Sequence, residues 1–287
     1  VLRIKHIPVL LDHSIDQLIT DPNGIYVDCT FGRGGHSKKI LERLSNKGKL
    51  IAFDLDNEAM EESKAIKKNN FQFHKTNFSQ IGNFIEDDSL MGALIDCGVS
   101  SPQLDEPERG FSFQKDGPLD MRFNRNQELT CSDIIENYSE SELSEILWKL
   151  GEEEESRRIA KFIVERREVK KFKSTTDLAN VIKLAKRKRT KKHSATKSFQ
   201  ALRMAVNSEL ESLSKCLEVL KNKLKKSGKI VVISFHSLED RIAKQSFKTQ
   251  PNLVEKKIPI FNDTTKEKFT VSKAVSYTHL TLPTTSP

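Results

Sequence analysis

In this sequence, side chains able to do chemistry gather where short apolar runs stop. The first such place is "YVDCTFGRGGHS", residues 26–37, where a run ends in Asp28 and then breaks into three glycines within four positions. Further on, "FDLD" supplies Asp54 and Asp56, and "TNF" carries Asn77 and Phe78. "IDCGVSSPQLD" carries Asp96, followed by Ser100, Ser101, Pro102 and Gln103. A late run, "KIVVISFHS", ends in His236 and Ser237.

A glycine loop of this kind holds a phosphate, a dinucleotide or S-adenosylmethionine. A triphosphate site needs G-x-x-x-x-G-K-[ST], whose lysine reaches the terminal phosphates; this loop has no lysine before Lys38 and lacks that spacing. The dinucleotide pattern G-x-G-x-x-G is partly met, with Gly32 and Gly34 in the first two places and Ser37 in the third. Asp54 lies 22 residues past Gly32, where a ribose-binding acid belongs. S-adenosylmethionine offers the same ribose hydroxyls but an amino-acid tail in place of the pyrophosphate, so the glycines would serve close backbone approach. On the loop alone the two cofactors stand level, beside a glycine turn with only a structural role.

The Asp96 stretch tips the balance toward methyl transfer. An acid followed by Ser-Ser-Pro-Gln at a strand end sets oxygen acceptors around an exocyclic amine, an arrangement for which hydride transfer has no evident need. The lone pair of such an amine is delocalised into the base, and acceptors for its protons would localise it and stabilise the charge that develops. Alignment with the methyl donor supplies much of the remainder. By itself, a Ser-Pro turn closing a strand accounts for the same residues.

The elements that must position these residues alternate. "GIYVDCTF", "GKLIAFDLD", "FQFHKTNF" and "MGALIDCGVS" read as strands, separated by helical patterns in "HSKKILERLSN" and in "NEAMEESKAIKKN", the latter beginning at an Asn cap. That alternation predicts a parallel sheet with helices on both faces and a ligand beyond the carboxyl ends of its strands. After Asp105 an irregular Pro- and Gly-rich segment leads into helices. These cover Ser141 to Leu150, "EEEESRRIAKFIVERR", a stretch from the "STTD" capping box to Ala185, and Ser198 to Lys226 with Gly228 placed to end it. "KIVVISFHS" then returns to a strand. The expected division is a first sheet part at 1–104, an inserted helical unit at 105–206 and a second sheet part at 207–274.

These segments resemble the cytosine-N4 methyltransferases of small-subunit ribosomal RNA, the RsmH/MraW family. The resemblance rests on "HIPVLLDHSID", "YVDCTFGRGGHS", "FDLDNEA", "NFSQI", "DCGVSSPQLDEPERGFSFQKDGPLDMRF", "GEEEESRRIAKFIVERR", "SATKSFQALRMAVNSEL" and "VISFHSLEDRIAK", in order over residues 6–245. It implies a Rossmann-like α/β methyltransferase sheet with an inserted all-helical domain. It also implies methyl transfer from S-adenosyl-L-methionine to the N4 of one cytidine in the decoding region. Carried over by position, the cofactor contacts fall on Gly34, Gly35, His36, Asp54, Phe78, Asp96 and Gln103. Asp96 would hold the donor's ammonium or the acceptor amine. Ser101 joins it as an acceptor-site candidate, and His236 is a substrate-positioning or acid/base candidate that could equally cap the helix after it. Two departures stand out. Ser194 replaces the proline usual before "FQALR", and the family's basic tail gives way to "VSYTHLTLPTTSP", residues 275–287, which resembles a translated sequencing adapter.

Composition bears on partners. Lys and Arg outnumber Asp and Glu by 48 to 40 and the pI is about 9.2, which favours a polyanionic partner. The segment "KRKRTKKHSATK", residues 186–197, holds seven basic side chains and no acid. Lys186, Arg187, Lys188, Arg189, Lys191 and Lys192 are therefore expected on RNA phosphates, against the alternative of a solvated charged loop. Arg109, Phe111, Phe113 and Arg122 lie near the acceptor stretch and could clamp or stack on a displaced base; the two phenylalanines could equally plug the core. Four scattered cysteines without a C-x-x-C pair speak against a zinc site or a disulfide framework. No apolar run reaches membrane-spanning length. The expected setting is cytoplasmic and the expected partner is small-subunit ribosomal RNA or the assembled subunit, with a homodimer compatible. The rival readings are a noncatalytic RNA-binding assembly factor on the same fold and an NAD-dependent oxidoreductase.

Overall fold

The computed structural model describes residues 8–187 and 193–247. Five strands, β1 (Ile25–Asp28), β2 (Lys49–Asp54), β3 (Phe71–Lys75), β4 (Leu90–Asp96) and β5 (Leu224–Ile233), form one sheet in the order β3-β2-β1-β4-β5. Every pairing is parallel. The helices are α1 (Leu11–Leu18), α2 (Gly35–Arg43), α3 (Asn57–Ser63), α4 (Ser101–Asp105), α5 (Cys131–Asn137) and α6 (Glu140–Gly151), followed by α7 (Ser156–Val169), α8 (Thr175–Ala185), α9 (Thr196–Asn207), α10 (Glu209–Lys223) and α11 (Ser237–Phe247).

Strand alternation sorts the apolar side chains onto two faces. Tyr26, Leu50, Leu94 and Ile233 meet Ile15 and Leu18 of α1 and Ile40 and Leu41 of α2. Val27, Ile51, Ala93 and Ile95 meet Leu213, Cys216, Leu217 and Leu220 of α10. A separate core holds α5 to α9 together, with Ile134, Leu147, Ile163, Ile182 and Phe199 among its members. The parallel α/β sheet with its helical block between β4 and β5 is the expected fold. Among the described residues, no helix is long and apolar enough to cross a membrane.

Local chemistry sets the helix starts. Thr130 and Asp133 exchange bonds in a capping box before α5, and Ser139 and Glu142 do the same before α6. Three details differ from expectation. The cap of α3 is Asp56, whose side chain accepts the Glu58 N–H at 3.0 Å, rather than Asn57. The stretch from 198 to 226, expected to be mostly helical, is so as far as Lys223, in two helices that Ser208, in the left-handed region (φ 48°), separates, and its last three residues already belong to β5. Gly228 does not end a helix. It lies inside β5, where a Cβ would sit 2.7 Å from Leu224 Cγ, so the glycine admits that side chain against the strand.

Candidate cofactor and acceptor site

The site is built at the carboxyl ends of β1, β2 and β4, where the strand order reverses and open α/β sheets leave a crevice. At the tip of β1 the glycine loop closes on itself. The buried Asp28 carboxylate accepts the Thr30 N–H at 3.1 Å and the Ser37 hydroxyl at 2.6 Å, and burial pushes its pKa up. Gly34 caps α2 in the left-handed region (φ 72°), and a Cβ on it would lie 2.7 Å from Phe31 Cζ. Gly34→Ala should therefore cost about 1–2 kcal/mol for the backbone alone and drive the Phe31 ring from its seat. A lowered Tm together with weakened S-adenosylhomocysteine binding is the expected result, and wild-type values for both would contradict it.

Asp54, at the tip of β2, accepts the Gly32 N–H at 2.7 Å and the Asp56 N–H at 2.9 Å. Each carboxylate oxygen keeps a second lone pair, so acceptors remain for ribose hydroxyls. Burial pushes the Asp54 carboxyl up to about 6. Phe78 opens a 3₁₀ turn, Phe78–Asn83, half-buried against the α10 side of the sheet. Asn77 caps that turn and its amide donates to Ser212 Oγ at 3.1 Å. Hydroxyl donors favour the ionised carboxylate, so ligand binding must expel the Asp54 proton below about pH 6. Calorimetric titration of S-adenosylhomocysteine should show affinity falling toward tenfold per pH unit below that point. A flat profile would contradict the ribose role.

Asp96 ends β4. Its N–H donates to Thr30 Oγ1 at 2.7 Å, which ties the acceptor strand to the glycine loop. One carboxylate oxygen, Oδ2, lies 3.7 Å from His36 Nδ1. Asp96 Oδ1 and His36 Nε2 are both buried with no hydrogen-bond partner among the described residues. Burial, with Asp28 and Glu239 adding negative charge, pushes the Asp96 carboxyl up to about 7. Burial also lowers the pKa of His36. Buried polar atoms without partners are costly, and a donor-bearing ligand would satisfy them. Such atoms beside a glycine cradle, with an acid at the β2 tip as well, fit S-adenosylmethionine.

Several expected contacts are engaged elsewhere. Gln103 is buried, with Nε2 donating to Asp56 Oδ2 at 2.8 Å and Oε1 accepting the Ser100 N–H at 2.9 Å, so it braces the acceptor loop against β2 rather than presenting a free amide to a ligand. Arg109, expected on RNA, is only 2% exposed. It pairs with Asp56 Oδ2 at 2.8 Å and donates to the Arg122 carbonyl at 3.1 Å. Phe111 stacks on Phe123, Phe113 packs on Phe199 and His193, and Arg122 is bonded to Asp120. Arg109 thus ties the insert to the β2 tip, Phe111 and Phe113 pack with the insert's own core, and Arg122 is held by Asp120, so each of the four is engaged within the protein. The Lys186 side chain, expected on phosphate, is buried in an ion pair with Glu153 at 2.7 Å. Arg187 is exposed, while Lys188, Arg189, Lys191 and Lys192 lie outside the described residues, as does the 275–287 tail. Ser101 opens α4, and its side chain is likewise outside the described set. His236 sits at the start of α11, where its Nδ1 accepts the Glu239 N–H at 3.4 Å and Nε2 lies 2.9 Å from Glu239 Oε1. It is a capping histidine in this arrangement.

Other site residues carry no signal of their own in the sequence. Thr30 and Phe31 lie inside the glycine loop, and only a hydroxyl two residues past the end of β1 at Asp28 hints at the bond to Asp96. Asp56 caps α3 and is also the carboxylate that Gln103 and Arg109 converge on. Burial raises its pKa, but the bonds from Gln103, the Glu58 N–H and Arg109 outweigh that effect and hold it below the usual carboxylate range.

Known proteins resemble this chain in sequence over most of its length. A family model described as the MraW methylase family matches residues 3–278. A protein of Caldicellulosiruptor saccharolyticus named ribosomal RNA small subunit methyltransferase H is 49% identical over 250 residues, covering 85% of this chain and 81% of its own. Proteins of the same name from Clostridium botulinum strain 657 (46% over 254 residues, 86% and 82%) and Fusobacterium nucleatum subsp. nucleatum (46% over 253 residues, 85% and 79%) are also similar. The family match spans the glycine cradle, the β2 and β4 acids and the helical insert alike, and by it the chain belongs to the MraW methylase family.

Proposed function

We propose that this protein transfers a methyl group from S-adenosylmethionine to the exocyclic N4 of one cytidine in the decoding region of small-subunit ribosomal RNA. The observation that carries the reading is the Asp96 carboxylate at the β4 tip, with Oδ1 buried and without a hydrogen-bond partner among the described residues, beside the glycine cradle. When bound, S-adenosylmethionine would supply a sulfonium methyl to the amine nitrogen, with S-adenosylhomocysteine as the other product and one N–H proton passing to water. The names of the relatives support ribosomal RNA as the acceptor.

Each residue has a physical task. Gly34 and Gly35 admit the donor's amino-acid part to the backbone, Asp54 accepts from its ribose, and Phe78 offers an apolar face to its adenine. Asp96 accepts an N–H of the amine, which localises the nitrogen lone pair and stabilises positive charge as it develops there. His36, buried and with a lowered pKa, stays neutral and adds no competing cation beside Asp96. Asp56 stays out of the chemistry, since its carboxylate braces Gln103 and Arg109. We assign the sheet parts, 1–104 and 207–274, to donor binding and the helical insert, 105–206, to the RNA. The exposed Arg187 and the basic run that follows it would neutralise phosphates without reading sequence. Such an enzyme would work in the cytoplasm, on the small subunit or its RNA. The donor half is tested by titrating S-adenosylhomocysteine and NADH separately. Binding of the first alone is expected, and binding of NADH would overturn the reading.

A further inference from the structure

With Phe111 and Phe113 packed against the core of the insert, the base that the proposed reaction requires has lost its expected aromatic partners. The structure assigns that role to Phe235: we infer that its ring is the platform on which the displaced cytosine stacks, with the amine turned toward Asp96. This inference rests on the function proposed above and names a residue that the function did not use.

The geometry follows from strand register. Asp96 of β4 pairs with Ile233 of β5, and the Cys97 N–H donates to the Ile233 carbonyl at 3.0 Å. Two residues beyond each of these strand ends, Gly98 and Phe235 come together. Phe235 lies in the bend that follows β5, and its ring reaches the chain at Gly98, two residues past Asp96, at the neighbouring strand tip. Gly98 makes this contact possible. Its φ of 103° is barred to most side chains, and a Cβ there would lie 3.3 Å from Phe235 Cδ2. The ring thus occupies space that a side chain at position 98 would crowd.

The backbone beneath the ring is held and the ring itself is not. Glu239, buried, accepts the Phe235 N–H through Oε2 at 2.8 Å, while its Oε1 lies 2.9 Å from His236 Nε2. Phe235 nevertheless remains 44% exposed. Among the large apolar side chains exposed in the described residues, it is the one seated against the acceptor loop. A flat apolar surface on a fixed backbone, with an unpartnered hydrogen-bond acceptor at the adjacent tip, matches the two needs of an extruded base. These are a face to stack on and a partner for its amine.

The test uses the full chain, small subunits lacking the N4-methyl mark, and three proteins: wild type, Phe235→Leu and Phe235→Tyr. Leucine keeps apolar bulk but offers no ring; tyrosine keeps the ring. The expected result is a fall of about ten- to a hundredfold in kcat/KM for Phe235→Leu, carried mainly by KM for the subunit. Phe235→Tyr should stay within a few-fold of wild type, and Tm and S-adenosylhomocysteine affinity should be unchanged in both. Wild-type kinetics for Phe235→Leu, or an equal loss in Phe235→Tyr, would overturn the inference while leaving the proposed function standing. A wild-type protein that transfers no methyl would overturn both.

Discussion

Asp96→Asn should lower the methyl-transfer rate by about 10²–10³, the usual cost of removing one preorganised electrostatic group at a developing charge. The change is nearly isosteric, and the backbone bond from the Asp96 N–H to Thr30 Oγ1 does not involve the altered side chain. The fold should therefore persist. What is lost is an anionic acceptor, because the amide that replaces it carries one neutral oxygen and two donors. The wild-type enzyme should carry a pH signature of the same group. Its carboxyl is pushed up to about 7, first by burial and then by Asp28 and Glu239. Only the ionised form accepts an amine proton without offering its own, so the rate should fall as pH drops through that region. The residual rate of Asp96→Asn should lack that limb. S-adenosylhomocysteine affinity separates two versions of the role. A loss of binding as large as the loss of rate would place Asp96 on the donor's ammonium, whereas retained binding places it on the acceptor amine.

Arg109→Ala should destabilise the protein by about 3–5 kcal/mol, the range for removing one partner of a buried ion pair. Arg109 and Asp56 are 2% and 9% exposed at their side chains and meet at 2.8 Å. The same guanidinium also donates to the Arg122 and Phe123 carbonyls, so truncation strands acceptors on both sides of the join. At about 2–4 °C per kcal/mol for domains of this order of size, Tm should fall by about 6–20 °C. Replacing Asp56 as well, in Arg109→Met with Asp56→Asn, should recover part of the loss, because no unpaired charge then remains buried. A residue that clamped RNA would behave differently, with unchanged Tm and weakened binding to the subunit. Thermal unfolding thus decides between a strut and a clamp.

The parts of the fold and site written in local pattern were legible in the sequence. The runs "GKLIAFDLD" and "MGALIDCGVS" contain β2 and most of β4, although the strands themselves stop earlier, at Asp54 and Asp96. Glycines at 32 to 35 mark a loop that must approach a ligand closely. What local pattern cannot carry is partnership across distance. Arg109 reads as a free cation until Asp56, 53 residues away, is placed beside it, and Lys186 reads the same way until Glu153 is found 33 residues earlier. Phe111 and Phe235 are alike in the sequence, each an aromatic residue near a motif. Burial alone tells them apart, at 6% and 44% exposure. Gly228 reads as a helix stop because glycine commonly is one, whereas here it makes room for Leu224 within a strand.

The most direct test of the proposed reaction is transfer of tritium from methyl-labelled S-adenosylmethionine to small subunits lacking the mark, followed by nucleoside analysis of the RNA. The account predicts label in N4-methylcytidine at a single position, abolished or nearly so in Asp96→Asn. Label on a ring carbon or a ribose oxygen, or no label from a protein that binds S-adenosylhomocysteine, would contradict it.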